Sequence, residues 1–321
     1  MVRPPFTLTP EILALVAGME RMLGRMEGRR QHISPMLRRS QRIRSVHAST
    51  AVEGNTLTEE QVTAVLEGRR VAGPARDILE VQNALAAYSQ VDAWKPDSPQ
   101  SFLKAHRIMM TGLTKDAGRW RRGGVGIMHG RKLVHLAPSA SRVPALMSEL
   151  LAWVKRDRLT HPVIKAAVCH YEIEFIHPFS DGNGRMGRLW HTLILTRSHE
   201  AFAGVPLESI IRERREEYYA ALAASDAAGS ATAFVEFAMR AVVQALEEVS
   251  TTARSGPVTS ARRLEIAANH FGAAAFSRRD YLRLFPTLST ATASRHLAAA
   301  VAAKRLRKSG DKALTTYRFI Q

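Results

Sequence analysis

Cysteine is almost missing from this chain: Cys169 is the only one among 321 residues, which excludes an internal disulfide. Long apolar runs are missing as well. The stretch Ile12–Ala17 lies between Glu11 and Glu20 and falls far short of the roughly 20 residues a membrane-spanning helix needs. No secretory leader is recognisable, so a cytoplasmic protein is expected. The histidines His161, His170, His191 and His199 show no His-Glu-x-x-His spacing, which removes the commonest metalloprotease signature and leaves them as packing or surface residues. Acidic side chains are scarce, 29 against 46 lysines and arginines, for a formal charge of +17. The length permits a sizeable core and two or three units.

The excess of positive charge is uneven. Residues 256–321 carry 12 lysines and arginines against 3 acidic residues, beyond a boundary signalled by Ser250-Thr-Thr-Ala-Arg-Ser-Gly-Pro257. Within them, a helix is predicted over Ala261–Phe271. Ser277-Arg-Arg-Asp280 has the form of a capping box opening a second helix to Phe285. Ser289 caps a third helix running to about Arg307, and Gly310 with Tyr317-Arg-Phe319 suggests a closing hairpin. The order resembles a winged helix-turn-helix. Thr292 and Arg295 would face a nucleic acid from the start of the third helix, and Lys304 and Arg307 from its far end. DNA binding and docking to a protein surface both remain open for this unit. The arginines of Arg29–Arg44 read as a solvated helical face.

The most informative stretch is His177-Pro-Phe-Ser-Asp181-Gly-Asn-Gly-Arg185-Met-Gly-Arg188. Before it, Ile164, Val168, Tyr171 and Phe175 recur at helical spacing and predict one apolar helix face over Pro162–Ile176. Pro178 disfavours helix at His177, so that helix ends there. A second helix is predicted from Arg185 to Thr196. The loop between them therefore faces the second helix's N-terminus, where unpaired N–H groups and the positive dipole end favour an anion. Gly182 and Gly184 let successive amides converge. Arg185 and Arg188, three apart on a helix, reach the same side. Asp181 supplies the hard oxygen that Mg²⁺ prefers, and His177 an imidazole suited to act as a base. These types together suit a nucleoside triphosphate.

The stretch resembles the signature of the Fic (filamentation induced by cAMP) family, His-x-Phe-x-Asp-Gly-Asn-Gly-Arg-x-x-Arg, at every defining position. The resemblance implies a mainly α fold, a helical core with a short β-hairpin flap beside the active site. It implies a protein adenylyltransferase that moves AMP from ATP, with Mg²⁺, onto a Ser, Thr or Tyr hydroxyl of a target protein. By the same resemblance His177 is the base, Asp181 the Mg²⁺ ligand, and Phe179 packing. Gly182, Asn183 and Gly184 hold the α-phosphate, Arg185 and Arg188 the β- and γ-phosphates. Gly184 stands where the family's phosphotransferase branch typically carries lysine, favouring nucleotidyl transfer. Family members often dimerise, so a homodimer stays open, and the sequence does not set the oligomeric state.

Upstream, Ser49-Thr-Ala-Val-Glu53-Gly54 resembles the family's inhibitory pattern, which implies that Glu53 pairs with Arg188 and occupies the γ-phosphate seat. Gly123–Met128 and Lys132–Leu136 flank a Gly-containing turn and predict two strands. The pair resembles the family's target-binding flap, with Val125, Gly126, Ile127, Met128, His129 and Gly130 as target contacts. Tyr218 and Tyr219 fall where family members often contact the nucleoside, and either is equally readable as core. The expected regions are 1–100 (helical, with the inhibitory helix), 101–250 (catalytic core) and 256–321 (winged helix-like). Two other functions stay open: a DNA-binding regulator whose core senses nucleotide, and an enzyme that removes AMP. An intact His177 favours chemistry over sensing.

Overall fold

The computed structural model describes residues 3–28, 35–129, 132–254, 260–272, 274–285, 288–310 and 315–320. The chain divides into two compact units, Met1–Ser250 and Thr251–Gln321. In the first, α1 (Pro10–Gly28), α2 (Pro35–Val52), α3 (Glu59–Leu66), α4 (Ala75–Ser89) and α5 (Pro99–Met110) precede a hairpin of β1 (Gly126–His129) and β2 (Lys132–Leu136). The α-helices that follow among the described residues are α6 (Val143–Arg156), α7 (Pro162–Ile176), α8 (Asn183–Ser198), α9 (Leu207–Glu213), α10 (Arg215–Ala228) and α11 (Thr232–Arg254). Residues 1–100 and 101–250, expected as separate regions, share one hydrophobic core that runs from Ile12 and Met19 through Phe102, Trp190 and Phe234 to Val249.

Local chemistry explains several boundaries. Thr58 and Gln61 form a reciprocal capping box at the start of α3, and Ser98 caps α5 ahead of Pro99 at its first position. Helix α7 starts with Pro162, which costs no intrahelical bond at that position. The predicted single apolar face of α7 is too narrow a description. Val163, Ala166, Ala167, Cys169 and Ile173 are buried along with Ile164, Val168 and Tyr171, so α7 is covered over most of its circumference, with Lys165, Glu172 and Phe175 half-buried along the remaining side. Its largest contact is with α8, and this pair carries the loop 177–182.

The hairpin is shorter than expected on its first arm, since Gly123–Val125 precede the strand. Its register pairs Gly126 with Leu136, Ile127 with His135, Met128 with Leu133 and His129 with Lys132, with an irregularity between Ile127 and Met128. The predicted turn residue Gly130 lies outside the described residues.

The second unit runs α12 (Ser260–Phe271), β3 (Phe276–Ser277), α13 (Arg278–Leu284), α14 (Thr290–Ala302), β4 (Leu306–Ser309) and β5 (Thr316–Phe319). The strands form one antiparallel sheet in the order β3-β5-β4. Leu264, Phe276, Tyr281, Leu297 and Leu306 are among its core residues. Ser277 and Asp280 make the expected capping box, and Ser289 caps α14 through the amide of Thr292. The third helix ends five residues earlier than predicted, at Ala302. Lys304 turns the chain at φ 54°, and burial of Leu306 commits the next residues to β4, so Arg307 lies on a strand. No helix among the described residues is long and apolar enough to cross a membrane.

The core of the first unit holds polar groups that must be satisfied. The carboxylate of Glu208, fully buried, accepts hydrogen bonds from Ser45 Oγ (2.6 Å), Tyr88 OH (3.0 Å) and Thr192 Oγ1 (2.7 Å). His106, His170 and His191 are also buried. Burial pushes the His106 imidazole down to about 4, and burial likewise lowers His170 and His191. In the unfolded chain these rings protonate near pH 6.5, so between pH 6.5 and about 4 the unfolded state binds the extra protons and stability falls as pH falls. Glu172, pushed up by burial to about 7, and Glu174, also raised by burial, act in the opposite direction. The prediction is therefore differential. Replacing His106 by Gln should flatten the decline in urea-unfolding free energy between pH 6.5 and 4 by about 1.4 kcal/mol per pH unit. Parallel pH profiles for parent and variant would show that His106 is not a source of acid sensitivity.

Candidate active site

His177 ends α7 in the left-handed region, with φ 49° and ψ 62°. Such a conformation costs a non-glycine residue about 1–3 kcal/mol and persists only where the surroundings impose it. Several groups do so. Arg121, buried, donates to the carbonyls of His177 (2.7 Å), Ile176 (3.3 Å), Gly123 (2.7 Å) and Pro138, while its amide donates to Pro178 O (3.0 Å). The side chain thus ties the base of the hairpin to the peptide of His177. The imidazole Nδ1 of His177 lies 3.3 Å from Glu174 O. A carbonyl only accepts, so Nδ1 carries the proton and Nε2 is left as the basic nitrogen.

The rest of the loop is held from beneath. Phe179 is fully buried and stacks on His106 with ring centroids 3.4 Å apart, the packing role expected of it. Neutral His106 accepts from Gly118 N (2.9 Å) through Nδ1, and its Nε2 lies 3.0 Å from Asp181 O, to which it donates. Ser180 Oγ donates to Asp116 (2.8 Å). Gly182 adopts φ 87°, and a Cβ there would come within 2.7 Å of Met110 Sδ, so both backbone and space require glycine. The first helical bond of α8 runs from Met186 N to Gly182 O. The amides of Asn183, Gly184 and Arg185 therefore precede the helical ladder, a ready seat for an anion.

The side chain of Asn183 does not point to that seat. Its Oδ1 accepts from Phe179 N (2.9 Å) and its Nδ2 donates to Phe179 O (3.0 Å). It closes the loop, which leaves its backbone amide as the group able to meet a phosphate. Asp181 Oδ1 accepts from Arg185 Nη2 (2.9 Å) and Gly182 N (2.6 Å), and Oδ2 lies 3.7 Å from Arg76. The carboxylate is 42 % exposed. One hard, accessible carboxylate fits Mg²⁺, which takes few protein ligands and completes its shell with phosphate oxygens and water.

Arg188 is 1 % exposed. Its Nε donates to Ser49 Oγ (3.0 Å), and Nη2 donates to Ser49 O (3.0 Å) and Glu53 Oε1 (2.6 Å). Desolvation alone would raise the Glu53 carboxyl, but the charge and hydrogen bond of Arg188 outweigh it and hold it below the usual carboxylate range. Gly184 leaves the space for this contact, because a Cβ there would lie 2.5 Å from Glu53 Oε1. Gly54, at φ 97°, ends the turn after α2. Arg185 is paired too, its Nη1 contacting Glu80 on α4, a residue without any signal in the sequence.

The two tyrosines separate. Tyr218 is a core residue, 1 % exposed, with its hydroxyl against His170 Nε2 (3.2 Å) and Glu174 Oε1 (3.3 Å). Helical periodicity on α10 turns Tyr219 outward, 40 % exposed, with the Arg215 guanidinium 5.6 Å over its ring. Only Tyr219 is placed to meet a ligand. Val125, at the foot of the flap, accepts from Ala137 N (3.2 Å). In the second unit Arg295 is exposed and Thr292 half-buried on the first turns of α14, with 3.3 Å between Arg295 Nη2 and Thr292 Oγ1.

Fold and site together define a helical protein in which one loop and the start of α8 carry His177, Asp181 and two buried arginines, paired with Glu80 and Glu53. The Fic/DOC family model matches residues 96–195. A solved Fic family protein from Desulfovibrio desulfuricans G20 is 40 % identical, covers 99 % of this chain and 98 % of its own, and superposes with a TM-score of 0.78. The chain belongs to the Fic family. A structure of Fic-1 (residues 134–508) from C. elegans is similar at 26 % identity and TM-score 0.60, over 77 % of this chain and 76 % of that one. Curated relatives named protein adenylyltransferase Fic include one from Nematostella vectensis, 28 % identical over 70 % of this chain and 52 % of its own. Another, from Aedes aegypti, is 32 % identical over 55 % and 36 %. The chain spans about half the length, or less, of these curated relatives.

Arg121 is the buried support that gives the sharpest test of this geometry. Arg121→Ala strands several carbonyls, and should lower the unfolding free energy by about 3 kcal/mol in urea titration. Lysine should restore little, since one ammonium cannot span four carbonyls in the plane of a guanidinium.

Proposed function

We propose that the protein is an adenylyltransferase that moves AMP from ATP to a Ser, Thr or Tyr hydroxyl of another protein, and that Glu53 restrains it. The observation that carries this reading is the Arg188–Glu53 contact at 2.6 Å, beside a loop that leads into the N-terminus of α8. A carboxylate held by a guanidinium marks where an anion belongs. The γ-phosphate of ATP is the anion that competes for it, with the β-phosphate toward Arg185 and the α-phosphate at the amides of Asn183 and Gly184. His177 Nε2 takes the proton of the attacking hydroxyl as oxygen bonds to the α-phosphorus and pyrophosphate leaves. Asp181 would hold Mg²⁺, which when bound neutralises phosphate charge. Tyr219 would pack against the nucleoside. The flap from Val125 through His129 would add a target segment to its edge by backbone pairing. The curated relatives' names support the class of transfer.

Mass spectrometry of protein incubated with MgATP and cell lysate tests the reading. Glu53→Gly should increase AMP-modified protein. Adding His177→Ala to that variant should reduce it by about 10²–10⁴-fold while ATP binding persists. Equal labelling by parent and Glu53→Gly at saturating MgATP would rule out the restraint, and labelling undiminished by His177→Ala would rule out the base.

For the second unit we propose a winged helix that binds duplex DNA. Its order of helices and strands supports this, with exposed Arg295 at the start of α14 and exposed Lys304, Arg307 and Lys308 at and after the turn into β4. Arg295→Ala in the full chain should reduce discrimination between sequences, whereas Arg307→Ala should weaken all duplexes alike. Fluorescence titrations at two salt concentrations read both effects, with affinity falling steeply as salt rises. No binding at low salt would assign the unit to protein docking.

A further inference from the structure

Arg185 is held differently from Arg188. Its side chain is 5 % exposed, with Nη1 on Glu80 Oε1 and Nη2 on Asp181 Oδ1, while its Nε is buried without a hydrogen-bond partner. Glu80 is itself only 12 % exposed. Its second oxygen accepts from Asn55 Nδ2 (2.8 Å). Asn55 is pinned in turn, because Nδ2 also donates to Asp77 O (3.0 Å), Oδ1 accepts from Leu57 N (3.1 Å), and its amide donates to Thr50 O (3.1 Å). Glu53, two residues earlier, has no comparable support. It lies past the end of α2, its side chain is 30 % exposed, and the one side-chain hydrogen bond it makes among the described residues is from Arg188. A carboxylate with a single contact is built to be displaced. A carboxylate fixed through both oxygens on a packed helix is built to stay.

We infer that Glu80 is a positioning residue: with Asn55 as its anchor, it holds Arg185 in the orientation that meets the nucleotide's β-phosphate. This rests on the nucleotide reading proposed above. Asp181 cannot do the work alone, since a carboxylate turned to a divalent cation weakens its grip on Arg185. Glu80 then remains as the fixed acceptor that keeps the buried guanidinium from swinging away, and the unpartnered Nε and the outer N–H groups are left for phosphate oxygens. The segment Glu53-Gly54-Asn55 consequently has two opposed jobs. Glu53 blocks Arg188, and Asn55 helps assemble the seat at Arg185. Removing the whole segment should therefore activate less than changing Glu53 alone.

The test is made in full-length Glu53→Gly protein, so that Arg188 is available. Calorimetry would give Kd for MgATP and for AMP with Glu80→Ala, Glu80→Gln and Asn55→Ala added singly. AMP lacks the β-phosphate and serves as the internal control for damage to the rest of the site. Glu80→Ala should weaken MgATP about tenfold and leave AMP unchanged. Glu80→Gln, which keeps an acceptor for Arg185 but loses the charge, should fall between, and Asn55→Ala should shift in the same direction by less. Should Glu80→Ala fail to fold, the near-isosteric Gln variant carries the measurement. Tighter MgATP binding would overturn the inference by making Glu80 a second plug. Equal weakening of both nucleotides, or no change in either, would reduce it to a packing role. If Glu53→Gly without further change binds neither nucleotide, the nucleotide reading itself is wrong and this inference falls with it.

Discussion

The guanidinium of Arg188, 1 % exposed between α7, α8 and the end of α2, is the constraint around which the first unit is arranged. A charge taken out of water must be paired, and breaking such a pair by removing one partner costs about 3–5 kcal/mol. Ser49 meets two of its nitrogens with a hydroxyl and a carbonyl, and Glu53 supplies the counter-charge. The placement of α2 against α8 and the absence of a side chain at Gly184 both follow from this demand. It also limits what can replace Glu53: only another anion leaves the buried charge compensated.

Around that charge the loop is shaped by hydrogen bonds to its backbone. His106 stays uncharged because burial penalises its protonated form, and it can then both accept from Gly118 and donate to Asp181 O. Arg121 performs the reverse duty on the other side, donating to carbonyls from the hairpin and from His177. These two residues explain how His177 is kept in an unfavourable backbone conformation. Asn183 closes the loop with its side chain, through Phe179 N and O.

The carboxylates of the site divide by how they are held. Among the described residues the Glu53 carboxylate accepts one hydrogen bond, Asp181 is 42 % exposed, and Glu80 is fixed through both oxygens. The second unit has its own core and its own basic surface, and it is legible without reference to the loop chemistry.

Local rules were sufficient wherever a boundary depends on neighbours in the chain. Pro178 ending α7, Ser277 with Asp280 opening α13 and Ser289 capping α14 could all be read in advance, because each acts on backbone groups within a few residues. The twelve-residue stretch was equally legible, since its residue types crowd together, although its second half lies on α8, which begins at Asn183 rather than at the predicted Arg185; the Ser49–Glu53 spacing pointed to Arg188 through a family resemblance. The rest needed the fold. Tyr218 and Tyr219 are adjacent and chemically identical, yet one is core and the other faces out, a choice made by which side of α10 the rest of the unit covers. The third helix of the second unit stopped at Ala302 because Leu306 packs into a core formed by residues up to 42 positions earlier. His106, Arg121, Asn55 and Glu80 carry no local signature at all. Each acts on a partner 25 or more residues away, and only the packing of the helices makes those groups neighbours.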